Sequence, residues 1–235
     1  MKPLALLIPG LDGTGKLFYR QIDRLSECYR VLAWSFLPRA FFDVADLVQE
    51  LAQATEGEKA GSMLVVGESF GGVIAMQFAL THPERLNRLG LVNTFPVYRR
   101  QIRIRLALQV VDLFKKPMLQ LLKERVVDRV LAAEGIMPAE RLMYKEAIKL
   151  VHYPAYRRRL EIIRSVDLRN RLQEISIPTF LFASGKDKLV PSVSEARYMA
   201  ARIPRATLYE FPHAGHALLL TPGFYLADYF NELKQ

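Results

Sequence analysis

The 235-residue chain is poor in the side chains that staple or metallate a protein. Its one cysteine, Cys28, excludes an intrachain disulfide and a cysteine-based metal cluster. Histidine is scarce too: His82, His152, His213 and His216 are the only imidazoles a mechanism could use. No run approaches the roughly 18 apolar residues of a membrane span, and there is no internal repeat or low-complexity tract. The opening Met1-Lys2-Pro3-Leu4-Ala5-Leu6-Leu7-Ile8-Pro9-Gly10 has an apolar core too short for a signal peptide and no small-residue cleavage site, so it is read as a first strand. A soluble cytoplasmic protein is expected.

Acidic charge is also short, 24 Asp and Glu against 33 Lys and Arg, and the deficit is local. Residues 97–175 hold 18 basic against 9 acidic side chains, a net +9, while the rest of the chain carries 15 of each. A neutral scaffold and a basic insert follow from that asymmetry.

The scaffold alternates short apolar runs with helical segments. Strands are expected at Leu4–Ile8, Tyr29–Phe36, Met63–Val66, Leu86–Phe95, Ile177–Ala183 and Thr207–Phe211. Helices are expected at Phe18–Leu25, Val44–Ala54, Val73–Leu80, Ser192–Ile203 and Gly223–Leu233. This order predicts an α/β fold with about six parallel strands flanked by helices. Residues 96–174 break the alternation. They lack a clear strand and carry amphipathic stretches near 98–114, 118–133, 138–150 and 155–164, separated at Pro117, Gly135-Pro138 and Pro154. The expected organisation is a core of 1–95 and 175–235 with a helical cap at 96–174.

The most informative stretch is Leu64-Val65-Val66-Gly67-Glu68-Ser69-Phe70-Gly71-Gly72, an apolar run ending in Gly-x-Ser-x-Gly before a helix-forming run. In a strand–turn–helix the serine is thrust out at the carboxyl edge of the sheet on a strained backbone, and small neighbours are needed around it. Taken alone, the pentapeptide is also compatible with a glycine-rich turn and an incidental serine.

Gly10-Leu11-Asp12-Gly13-Thr14-Gly15-Lys16-Leu17 nearly matches a phosphate-binding loop. Leu17 stands where a Mg²⁺-binding hydroxyl is required, and no later strand ends in the needed aspartate, so a nucleotide site is set aside. The alternative is an oxyanion hole, with Leu11 and Phe70 as the backbone N–H donors.

A serine needs an imidazole base, and the imidazole needs a carboxylate to hold its tautomer. His82 lies at the far end of the helix that Ser69 begins, and His152 lies in the cap. His213 and His216 follow the last strand, on the same sheet edge as Ser69; His216 is taken as the base and His213 as a structural neighbour. Asp187, after the fifth strand, is the candidate acid, since the end of the fourth strand offers Asn93-Thr94 instead.

Ser69, Asp187 and His216, with Leu11 and Phe70, resemble the machinery of the α/β-hydrolase superfamily from Leu4 to nearly the end of the chain. Pro9-Gly10 departs from the His-Gly of many members. Within the superfamily the chain is similar to bacterial carboxylesterases with a helical cap, such as the pimeloyl-[acyl-carrier protein] methyl ester esterases. Its Pro-Gly-Leu-Asp-Gly-Thr-Gly start also resembles a branch that includes phytyl-ester acyltransferases. The resemblance implies a serine esterase working through an acyl-enzyme, with no cofactor and no metal.

In the basic cap, Arg99, Arg100, Arg103, Arg157, Arg158 and Arg159, with Arg105, Lys115 and Lys116, are candidates for meeting an acidic partner such as acyl carrier protein. They are equally compatible with solvated helix faces, or with an anionic membrane surface that would make the enzyme a lipase-like hydrolase or acyltransferase. A catalytically idle ligand-binding member of the fold is a further alternative. Nucleic-acid binding is not expected, because the arginines lack interleaved aromatics or a recognisable module.

Overall fold

Six apolar runs, each too short to be a core helix, are drawn into one sheet. A computed structural model describes residues 2–36, 38–113, 125 and 136–230. In chain order the core elements are β1 (Leu4–Ile8), α1 (Tyr19–Ser26), β2 (Arg30–Ala33), α2 (Val44–Ala54), β3 (Met63–Glu68), α3 (Phe70–Thr81) and β4 (Leu86–Val92). Three helices follow among the described residues: α4 (Gln101–Leu113), α5 (Pro138–Lys149) and α6 (Tyr153–Ser165). The chain then returns through β5 (Thr179–Ser184), α7 (Ser192–Ala200), β6 (Ala206–Phe211) and α8 (Leu226–Phe230).

The strand order is β2-β1-β3-β4-β5-β6, and every pairing is parallel. Such a sheet is covered on both faces, which explains why β1, β3 and β5 are buried at every position. One face packs Leu6, Val65, Leu89 and Leu181 against α2, α3 and α7; the other packs Leu7, Val66, Phe182 and the aromatics Phe224 and Phe230. The order reverses between β1 and β3, and at that switch point their carboxyl ends open a crevice.

The expected strands are all present; β2, β4 and β5 are shorter than expected, and β3 and β6 are longer. Backbone pairing ends β2 at Ala33 and β4 at Val92, while β3 runs on to Glu68. The α2 boundaries are as expected, because Asp43 and Asp46 form a reciprocal capping box at its start. Helix α3 begins earlier than expected, at Phe70, directly after the serine.

The insertion after β4 is tied off at its base. Val97 bridges Asp167 and the Leu168 N–H donates to the Pro96 carbonyl at 2.9 Å, so both ends leave the sheet together. Three of the four expected helical stretches correspond to α4, α5 and α6; the stretch 118–133 lies outside the described residues apart from 125. The insertion is joined to the core by the partly buried Arg20–Glu140 ion pair and by α4–α6 packing over it. Among the described residues no helix is long and apolar enough to cross a membrane.

Candidate active site

Ser69 sits between β3 and α3 with φ 52° and ψ −115°, a conformation that costs a non-glycine residue about 1–3 kcal/mol. The surroundings fix it there. Its N–H donates to Val92 at 2.9 Å, and its carbonyl accepts from Gly72 N–H at 3.0 Å and Thr94 Oγ1 at 2.6 Å. A Cβ on Gly67 would overlap the Gly71 carbonyl, and one on Gly71 would overlap the carbonyl of Ile8, so the elbow closes against β1 only with glycine at both places.

The loop after β1 is shaped to offer an N–H. Gly10 accepts from Gly13 N–H at 3.1 Å, which turns the Gly10–Leu11 peptide and points its N–H away from the turn. A Cβ on Gly10 would lie 3.4 Å from Ser69 Cβ, so this loop lies directly against the serine. Leu11 and Phe70 N–H make no hydrogen bond to other loops or side chains among the described residues. The same loop does not form a phosphate cradle: Gly15 and Lys16 enter a short 3₁₀ turn, and Lys16 is exposed.

Asp187, Ser192 and His216 form a connected unit. Asp187 Oδ2 accepts from His216 Nδ1 at 2.7 Å and from Ser192 Oγ, while Oδ1 accepts from the N–H groups of Leu189 and Val190 at 2.8 and 2.9 Å. Burial opposes charge on Asp187, but the His216 ring and these donors outweigh it and hold the carboxyl below its ordinary range. Burial also opposes charge on His216, yet Asp187, aided by Glu68, raises the ring to about 9. His213 is exposed, while His216 is 6% exposed, so the structure separates the two neighbouring candidates by environment. His82 lies beside Glu84 at the end of α3, and His152 caps α6.

Asn93 shows what replaces an acid at the end of β4. Its φ is 45°, a conformation that asparagine tolerates well. Its amide donates to Ser184 Oγ at 3.0 Å and to the His216 carbonyl at 2.8 Å, and its Oδ1 accepts from Ser184 N–H at 2.9 Å. One side chain therefore ties the ends of β4 and β5 to the loop that bears the imidazole.

Three residues gain roles that the sequence reading did not assign. Glu68 is buried, with Oε1 3.4 Å from His216 Nε2; burial, only partly offset by His216, pushes its carboxyl up to about 7. A carboxylate ending an otherwise apolar strand was the available signal. From α5, half-buried Tyr144 has its phenol raised well above the ordinary value by desolvation first and then by the nearby Glu68, Asp12 and Asp187. From α6, Arg159 is only 2% exposed and donates through Nη1 to the Leu11 carbonyl at 2.7 Å. This corrects its expected place on an exposed partner-binding face.

The other expected partner-binding arginines are mostly engaged within the chain. Arg99 pairs with Glu195, Arg157 with Asp112 and Glu161, and Arg158 with Glu161; Arg103 donates to the Lys188 carbonyl. Arg100 lies at the start of the insertion and is partly exposed. Among the described residues no group of three or more His, Cys, Asp or Glu is arranged to hold a metal ion.

A strand–serine–helix elbow at a topological switch point, with a carboxylate–imidazole pair arriving from later strands, defines a class of fold. The chain belongs to the alpha/beta hydrolase fold family, whose pattern matches residues 3–222. It is 29% identical over 252 residues to a putative carbamate hydrolase RutD of Serratia proteamaculans, covering 99% of this chain and 90% of that one. Among solved structures it is similar to an esterase from Exiguobacterium antarcticum (TM-score 0.80, 18% identity, 93% of this chain and 86% of the other). It is also similar to the enol-lactonase from Burkholderia xenovorans (TM-score 0.75, 19% identity, 92% and 85%). At these identities the structural likeness speaks for the fold alone.

Proposed function

We propose that the protein is a serine hydrolase of carboxylic esters that works through an acyl-Ser69 intermediate. The observation that carries this reading is the buried Asp187–His216 pair on the sheet edge where Ser69 begins α3. In the first step Ser69 Oγ bonds to the carbonyl carbon while His216 Nε2 takes its proton. The oxyanion is met by the N–H groups of Leu11 and Phe70, each such donor being worth about 3–4 kcal/mol in the transition state. The C–O bond to the alcohol then breaks, and the leaving oxygen takes the proton from His216. Water, activated by the same imidazole, attacks the acyl carbon and releases the acid and free Ser69. Asp187 stays ionised and stabilises the imidazolium.

The resemblance to a putative carbamate hydrolase supports a second acyl class, because a carbamate carbonyl would meet the same nucleophile and donors. The arginines that would greet a carrier protein are largely committed to internal carboxylates, so the proposal names an acyl ester and no carrier.

The test is turnover of 4-nitrophenyl butyrate and of a 4-nitrophenyl carbamate, with fluorophosphonate labelling. Ser69→Ala is expected to lose at least about 10⁴-fold in kcat and all labelling. Unchanged turnover by that variant would end the proposal. Failure of the wild-type chain to label would favour a ligand-binding member of the fold.

A further inference from the structure

Arg159 is a buried cation with no ion-pair partner among the described residues. It rises from α6 over the loop after β1, with its guanidinium carbon 5.4 Å from the Phe36 ring centroid and its tip against Gly13. A Cβ on Gly13 would collide with the guanidinium, so the glycine there serves the arginine as well as its own φ of 71°. Among the described residues its one hydrogen bond is from Nη1 to the Leu11 carbonyl. Nε is buried and has no partner, and among the described residues no carboxylate lies within ion-pair distance. Asp12, an acid whose field reaches Arg159, spends its Oδ2 on the Thr14 N–H and hydroxyl instead. Leaving a charge desolvated and unpaired costs several kcal/mol.

The geometry of the guanidinium says what would complete it. Its Nε and Nη2 atoms form a two-pronged edge that matches a carboxylate. Elsewhere in this chain the same edge grips acids: Arg169 holds Asp167, Arg171 holds Glu174 and Arg197 holds Glu210, each through Nε and Nη2. In Arg159 the third nitrogen, Nη1, is the one spent on Leu11, within the same residue as a proposed oxyanion donor.

We infer that Arg159 is the anchor of an anion subsite, and that the substrate is an ester whose acyl chain ends in a carboxylate a short linker away from the scissile carbonyl. The inference rests on the esterase reading of Ser69 and narrows its substrate class. The carboxylate binds the Nε–Nη2 edge while the ester carbonyl lies at Leu11 and Phe70. The other charges around the site leave room for it. Asp187 is balanced by His216, and the Glu68 carboxyl is largely protonated below neutral pH.

The experiment compares mono-4-nitrophenyl glutarate with 4-nitrophenyl butyrate at pH 6.5. Wild type is expected to prefer the glutarate ester by at least about tenfold in kcat/KM. Arg159→Met is expected to lose about 100-fold on the glutarate ester, mainly through KM. On the butyrate ester it should lose only a few-fold, because the Leu11 carbonyl loses its donor. Arg159→Lys should retain part of the preference. No preference in wild type, or an equal loss on both esters, overturns the inference and leaves Arg159 as a clamp on the loop. A second arm does not depend on turnover: calorimetric binding of monomethyl glutarate and methyl butyrate to Ser69→Ala and to Ser69→Ala combined with Arg159→Met. Selective binding of the acid, abolished in the double variant, supports the subsite even if the esterase reading fails. Absence of that selectivity overturns it.

Discussion

The two sides of the site are built differently. On the sheet side, the polar groups of Asp187, Asn93 and the Ser69 backbone are partnered within the protein, and their geometry is fixed before any ligand arrives. On the insertion side, Arg159 keeps a buried Nε that has no partner among the described residues. Preorganised dipoles suit a reaction whose charge always develops in one place. Incompletely satisfied polar groups suit recognition, because a ligand that completes them is rewarded and one that does not is rejected. On the proposed function, the contrast separates chemistry at the sheet edge from selection by the insertion.

That division can be broken most severely through the imidazole. His216→Ala is expected to lose about 10⁴-fold in kcat, while His213→Ala, at an exposed position, changes kcat by less than about twofold. Single-turnover kinetics on 4-nitrophenyl butyrate would show it, and comparable losses in the two variants would move the base to the wrong residue.

Next in size is the elbow. Gly71→Ala should destabilise the fold by roughly 3 kcal/mol or more, because the new methyl overlaps a β1 carbonyl that cannot move away. Urea unfolding measures this, and a loss under 1 kcal/mol would mean that the elbow is not closed as described. Asn93→Ala should cost about 2–3 kcal/mol by orphaning buried partners. It should also lower kcat about tenfold, since the His216 loop loses its tie to β4.

The pH profile sharpens the comparison further. His216 must be neutral to act as a base, so kcat/KM is expected to rise with pH and level off above about 9. Glu68 faces Nε2, and Asp187 faces Nδ1. Glu68→Gln removes one of these two carboxylates and should move the midpoint down by about one pH unit. The sign for stability is fixed by the same shifts. Both Glu68 and His216 hold protons more tightly folded than unfolded, so stability falls as pH rises, from 4.5 to about 7 for the first and from 6.5 to about 9 for the second. Asp187 acts oppositely: its contribution is present above 3.8 and is lost as pH falls through its depressed value. Thermal melts of wild type and Glu68→Gln across this range should diverge most at pH 8–9.

The smallest effect is expected on the outer face of the insertion. Arg157→Gln breaks exposed ion pairs with Asp112 and Glu161, which should cost under about 1 kcal/mol and leave turnover of a neutral ester unaltered. A large kinetic effect there would blur the line between selection and surface.

Much of the scaffold was readable because it rests on local chemistry. Six apolar runs separated by helical segments require a covered parallel sheet, and Gly67-x-Ser69-x-Gly71 after such a run specifies a tight elbow, since only glycine allows the close approach. The order Ser69, Asp187, His216 at successive strand ends was legible for the same reason: parallel strands deliver their carboxyl ends to one edge. Less was legible in the insertion, where amphipathic spacing marks helices but does not say which arginine turns inward. Arg157, Arg158 and Arg159 are adjacent in sequence, yet one turn of α6 leaves the first two half-exposed and buries the third. Nothing local marks Glu68 beyond its place in the Gly-x-Ser-x-Gly motif, because its contact with His216 spans 148 positions of chain.

By itself, then, the sequence determined the fold class, the strained serine turn and the set of residues that could serve it, because strand periodicity, glycine sterics and chain order act locally. The tertiary structure alone decided which histidine is buried against a carboxylate, what Asn93 holds in place, and that Arg159 faces the loop beside Ser69. Those outcomes depend on burial and on distances between residues far apart in the chain, which no local pattern encodes.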